Sequence, residues 1–140
     1  MPILTEVDEI RPILMGAKTV AVLGAHPQSS RPAHYVPAYL HEQGIEILPV
    51  NPGFTGQTLF GAPVHATLSE LGCPIDIVDI FRHPRFLPDH LDDILAMDPL
   101  PHCVWFQSGI IHDDVAAQLS EAGLHVVQDR CTYADHRRWR

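Results

Sequence analysis

Three short segments carry residue types that could hold a phosphorylated ligand. Gly24-Ala25-His26-Pro27-Gln28-Ser29-Ser30-Arg31-Pro32 combines a glycine, two hydroxyls and a guanidinium. The glycine permits close backbone approach, Ser29, Ser30 and Arg31 supply donors, and the helix that follows adds free N–H groups. This makes a phosphate cradle without the GxGxxG fingerprint, since Ala25, His26 and Gln28 stand where glycines could have stood. The same residues also read as a polar turn capped by Ser30. In Phe81-Arg82-His83-Pro84-Arg85, Arg82 or Arg85 can pair with a phosphate and Phe81 can lie against a planar base; the same residues also read as solvated arginines and a core phenylalanine. In Trp105-Phe106-Gln107-Ser108-Gly109-Ile110, Gln107 and Ser108 are polar contacts, while Trp105 reads as core.

Other positions limit the chemistry. A dinucleotide site places Asp or Glu at the end of its second strand to take the ribose hydroxyls. Here the chain runs Val50-Asn51-Pro52-Gly53, so NAD or flavin binding by the usual geometry is disfavoured. The glycine-bearing run from Gly53 to Gly61 can wrap closely around something, although glycines are ordinary in turns. No residue is assigned to catalysis: His26 and His83 read as loop residues, and no HExxH or convergent ligand spacing suggests a metal. Cys131, beside Arg130, is the one candidate nucleophile; its alternative reading is a small buried hydrophobe.

The elements that position these segments alternate. Thr19–Gly24, Ile45–Val50, Ile75–Ile80, Cys103–Phe106 and His125–Gln128 are β-rich apolar runs. Residues 32–43 place Tyr35, Val36, Tyr39 and Leu40 on one helical stripe, with Ser29 and Ser30 as cap candidates, Pro32 in the first turn and Gly44 as terminator. Residues 86–97 carry Leu87, Leu91, Ile94 and Leu95, and residues 113–122 carry Val115, Ala116 and Leu119 after Asp113-Asp114. Thr5–Met15 is a further helix, with Thr5 and Asp8 resembling a capping box. Strands alternating with helices predict an α/β fold, a doubly wound, mostly parallel five-stranded sheet of Rossmann-like type. Ligands of such sheets bind beyond the C-terminal strand ends, where the three segments fall.

Composition sets the frame. The 140 residues suit one domain, 1–140, with 1–16 as an N-terminal helical segment and 137–140 as a tail. Nine Lys+Arg against 17 Asp+Glu give a formal charge of −8 with His neutral, which disfavours nucleic acid. The one dense basic cluster, His136 to Arg140, reads as solvated. No apolar run reaches membrane length, and the N-terminus has no signal-peptide pattern. Cys73, Cys103 and Cys131 form no CxxC pair or disulfide framework, so a reduced, cytoplasmic protein is expected.

Together the strand-end motifs resemble the small stand-alone CoA-binding protein family. The motifs are AVLGAHPQSSRP (residues 21–32), LPVNPGFTGQTLFGAPVHATLSEL (48–71), DIVDIFRHPRF (76–86), VWFQSGI (104–110) and VVQDRC (126–131). They are also similar to the CoA-binding domain of the succinyl-CoA synthetase alpha subunit, through the Pro52-Gly53 turn and Gly61-Ala62-Pro63-Val64. The resemblance implies CoA or acyl-CoA lying across the C-terminal sheet edge. Its phosphates would meet the loop of Gly24, Ala25, Ser29, Ser30 and Arg31, and its adenine end would lie near Asn51, Pro52, Phe81 and Arg82. Its pantetheine arm would run toward Gln107, Ser108, Gly109 and Ile110. The synthetase also needs a second domain with a phosphorylated histidine and a partner subunit, and no such domain is expected here. The resulting expectation is a non-catalytic carrier or sensor whose partner is the small-molecule ligand, with neither nucleic acid nor membrane. A CoA-dependent thiol-redox or acyl-handling enzyme using Cys131 is the alternative, and an NAD(P)-binding regulatory domain is the reading least supported.

Overall fold

The two faces of the central sheet are dry for the same reason: alternate residues of its strands are apolar in both directions, and helices cover each side. The computed structural model describes residues 3–140. In chain order the main strands are β1 (Ile3–Leu4), β2 (Thr19–Leu23), β3 (Glu46–Val50), β6 (Ile77–Ile80), β7 (Cys103–Phe106) and β8 (His125–Val127), with a small hairpin β4 (Thr58–Leu59) and β5 (Ala62–Pro63) after β3. The helices are α1 (Val7–Met15), α2 (Pro32–Glu42), α3 (Leu87–Leu95), α4 (Asp113–Glu121) and α5 (Thr132–Trp139).

The main sheet has the order β1-β8-β7-β6-β2-β3, and every pairing within it is parallel. The α/β, doubly wound expectation therefore holds, with one correction: the sheet has six strands rather than five. The extra strand, Ile3–Leu4, pairs with Val126 and Val127 of β8. Two residues are too few to show an alternation, so nothing local announced it. Met1 and Pro2, part of the expected N-terminal segment, lie outside the described residues.

On one face, Ala21, Leu23, Val78, Ile80, Val104 and Phe106 pack with Leu87 and Ile94 of α3 and with Val115 and Leu119 of α4. On the other, Val20, Val22, Ile77, Cys103, Trp105 and Val127 pack with Ile10 and Leu14 of α1, Leu40 of α2 and Trp139 of α5. Each fully buried Leu, Ile or Val contributes about 1.5–3 kcal/mol, so the two clusters hold the sheet between helical layers.

Several local expectations change. The N-cap of α2 is Arg31, without a side-chain cap bond, and Ser29 and Ser30 are exposed. Pro32 does occupy the first turn, and Gly44 takes φ +90° just after the helix. The N-cap of α1 is Glu6 with no side-chain bond, so the Thr5–Asp8 box does not form. Leu95, placed on the apolar stripe of α3, is exposed. The Gly53–Gly61 run closes on the protein itself: it makes the β4–β5 hairpin, and Leu59 and Phe60 pack against the second cluster. The expected 137–140 tail is instead the end of α5. Its polar face disguised it, while Trp139 packs inward and Tyr39 Oη hydrogen-bonds with His136 Nδ1 at 2.9 Å.

Candidate functional site

From β2 the chain crosses to β3 on one side, then returns to β6 on the other. The loops after β2 and β6 therefore diverge, and a crevice opens between them at the C-terminal sheet edge, where doubly wound sheets bind ligands. That crevice is a cleft of about 570 Å³. Arg31 enters it from the loop after β2, Phe81 and Arg82 from the loop after β6, and Gln107, Ser108, Gly109 and Ile110 from the loop after β7. Tyr35, Val36, His83 and Cys131 are also among its lining residues.

A second, smaller cavity of about 60 Å³ adjoins it, lined by Leu23, Gly24, Asn51, Pro52, Arg82 and His90. Arg82 lines both. Gly24 is dictated by this junction. It has φ +94°, and a Cβ there would stand 2.8 Å from the Phe81 carbonyl oxygen. Any other residue would push apart the two loops that frame the site.

The remaining expected residues play other parts. Ala25 is fully buried in the second core cluster. Its carbonyl accepts from Asn51 Nδ2 at 2.9 Å, while Asn51 Oδ1 accepts from the Gly53 N–H at 2.9 Å. Asn51 thus ties the loops after β2 and β3 together. Ser29 and Ser30 line neither cavity. Arg85 stacks on Phe86 with its Cζ 4.8 Å from the ring centroid. Trp105 is core as expected, and its Nε1 donates to the Arg130 carbonyl at 2.7 Å. His26 accepts from the Gln28 N–H through Nδ1. Burial, then Arg31 and His34, lower its pKa.

Beneath the cleft lies a polar group that the apolar run of β6 concealed. Asp79 is fully buried on the face covered by α5. Gln107 Nε2 donates to Asp79 Oδ1 at 2.6 Å and to Thr132 Oγ1 at 2.7 Å, and Thr132 Oγ1 donates to Asp79 Oδ2 at 2.9 Å. Both Gln107 amide protons are thereby directed inward. Its Oε1 accepts no hydrogen bond from any described residue. Burial raises the Asp79 pKa to about 7, against the lowering effect of the Gln107 and Thr132 hydrogen bonds. The Cys103 thiol, next on the same face, is pushed up by burial and by Asp79, which leaves it an inert core thiol.

The cleft is electropositive despite the overall charge. Among the described residues the ion pairs are Arg130–Asp135, at 2.7 Å, and Arg138–Asp135, at 3.5 Å. Arg31 and Arg82 therefore reach the cleft without a neutralising carboxylate. Arg130 lies behind it, bidentate to the buried Asp135. No group of three or more His, Cys, Asp or Glu among the described residues could hold a metal ion, and no helix there is long and apolar enough to cross a membrane.

The fold and sequence both have relatives. A protein from Thermus thermophilus is 51% identical and superposes with a TM-score of 0.92, covering 97% of this chain and 100% of its own. One from Pyrococcus horikoshii is 28% identical, with a TM-score of 0.87 and coverage of 99% and 96%. The Bacillus subtilis (strain 168) protein YneT is 34% identical over 128 residues, 91% of this chain and 92% of its own. Residues 18–137 match the family described as the CoA binding domain, a span that runs from β2 into α5 and includes every residue lining the cleft, so the chain belongs to the CoA binding domain family.

Proposed function

We propose that the protein is a CoA or acyl-CoA binding protein without chemistry of its own, acting as a carrier or sensor in the cytoplasm. The observation that carries this reading is the convergence of three strand-end loops on one cleft that holds two unpaired arginines, in a chain of the CoA binding domain family. Arg31 and Arg82 suit the nucleotide phosphates, and Phe81 suits a planar base. Gln107 Oε1 is an acceptor that an amide N–H of the pantetheine arm could use. Ser29 and Ser30 line neither cavity, so the phosphate assignment rests on Arg31 and Arg82.

Thermal unfolding tests this reading. CoA should raise the melting temperature, and NAD or NADH at equal concentration should leave it unchanged; at a hundredfold excess over Kd the stabilisation is about 2.7 kcal/mol. Arg82→Ala should shrink the CoA shift. A shift with NAD and none with CoA would overturn it.

One observation favours a second reading, in which the site also exchanges thiols. Cys131 is half-buried and lines the same cleft. With a CoA disulfide as oxidant, its sulfur would attack the CoA sulfur, forming a Cys131–CoA disulfide and releasing the other thiol. Intact-mass spectra after treatment with CoA disulfide should show one CoA adduct that Cys131→Ser abolishes. Absence of any adduct removes this reading.

A further inference from the structure

Arg82 is shared by the two cavities, and it is held from two sides by groups that carry no negative charge. Its Nε donates to His90 Nε2 at 3.2 Å, and its Cζ lies 4.5 Å from the Phe86 ring centroid. Its Nη1 and Nη2 make no hydrogen bond or ion pair with any described residue. The nearby carboxylates are engaged elsewhere or face solvent. Asp93, on the same helix as His90, accepts from the Leu68 N–H at 2.7 Å and from the Ser69 N–H at 3.1 Å. Asp89 is exposed.

To accept from Nε, His90 must be neutral, with its own proton on Nδ1. The surroundings favour that form: burial first and then the Arg82 charge lower its pKa, outweighing Asp93 and Asp89. The choice of partner has a consequence. A carboxylate would fix the arginine with a stronger bond but cancel its charge and compete for the Nη edge. An aliphatic residue would leave the long side chain free to swing away. A neutral imidazole does neither.

We infer that His90 is a positioning residue of the CoA site: its imidazole orients Arg82 without neutralising it, so that the guanidinium presents its full charge and its Nη edge to a ligand phosphate at the junction of the two cavities. This deepens the function proposed above and rests on it.

Calorimetric titration with CoA, on variants whose fold is checked by circular dichroism and melting temperature, separates the possibilities. Arg82→Ala should weaken binding by about tenfold or more, the scale of a lost charge-assisted contact. His90→Leu should weaken it by about three- to tenfold, whereas His90→Gln, which keeps a neutral acceptor, should stay within about twofold. His90→Glu should bind at least as weakly as His90→Leu and show a flatter salt dependence of Kd. On the Arg82→Ala background, His90→Leu should change nothing further, because its effect runs through the arginine. If Arg82→Ala itself has no effect, the assignment of Arg82 to the CoA site fails, and the role of His90 with it. If Arg82→Ala weakens binding but His90→Leu does not, the site stands and the role of His90 falls. The role also falls if His90→Gln binds as weakly as His90→Leu, or if His90→Leu still weakens binding without Arg82.

Discussion

Replacing Asp79 by asparagine keeps the shape of the buried group beneath the cleft and removes its charge. Burial lifts the Asp79 carboxyl from its ordinary 3.8 to about 7. Between those values the folded protein holds a proton that the unfolded chain has already released. The carboxyl's contribution to stability is therefore complete below about pH 4 and declines as pH rises through 7, where about 4 kcal/mol has been lost at 1.36 kcal/mol per tenfold change in proton affinity. The Asp79→Asn variant has no such loss, because its amide does not titrate. Urea unfolding of both proteins between pH 4 and pH 8 should give nearly equal stabilities at the acid end. The variant should be more stable by about 2–4 kcal/mol at pH 8. His26, His90, His125 and His136, whose pKa values are lowered, act in the opposite sense: their contributions grow as pH rises through the same window. They are common to both proteins and cancel in the difference. A difference that does not change with pH, or a variant less stable than the parent at pH 8, would refute the reasoning.

Three further perturbations test the frame around the site. Gly24→Ala forces a Cβ to within 2.8 Å of the Phe81 carbonyl oxygen at φ +94° and should cost about 1–3 kcal/mol in urea unfolding, together with weaker CoA binding; an unchanged midpoint would contradict the close approach. Arg130→Ala removes the bidentate partner of Asp135, which is 4% exposed, and should cost about 2–4 kcal/mol at pH 7. The expected readout is a lower denaturation midpoint, and no change would show that the pair is dispensable. Deleting residues 137–140 strips Trp139 from the second core cluster and should cost about 2 kcal/mol of apolar burial. An unchanged melting temperature would restore the solvated-tail expectation.

The fold was legible where burial on both faces left a continuous apolar run, as in Thr19–Leu23 and Cys103–Phe106. Strand order then placed Arg31, Phe81, Arg82 and Gln107–Ile110 at one edge, and the cleft brings all of them together. What escaped was whatever depended on contacts between distant segments. β1 is two residues long and exists through its pairing with β8. The helix α5 buries Thr132, Asp135 and His136, polar residues that carry no apolar stripe. Asp79 is the one acid within β6 itself, among Ile and Val; an acid between such neighbours was the available sign of a buried polar network. His90 lies eight residues beyond Arg82, on a helix that also carries Asp89, Asp92 and Asp93, and only the folded chain brings the imidazole back to the guanidinium.

Native mass spectrometry of the purified protein with CoA at a few-fold excess tests the central claim most directly. The expected spectrum shows one CoA per chain, with that species much reduced in Arg82→Ala and no adduct when NAD replaces CoA. A spectrum with no CoA adduct, or with an NAD adduct in its place, would contradict the account.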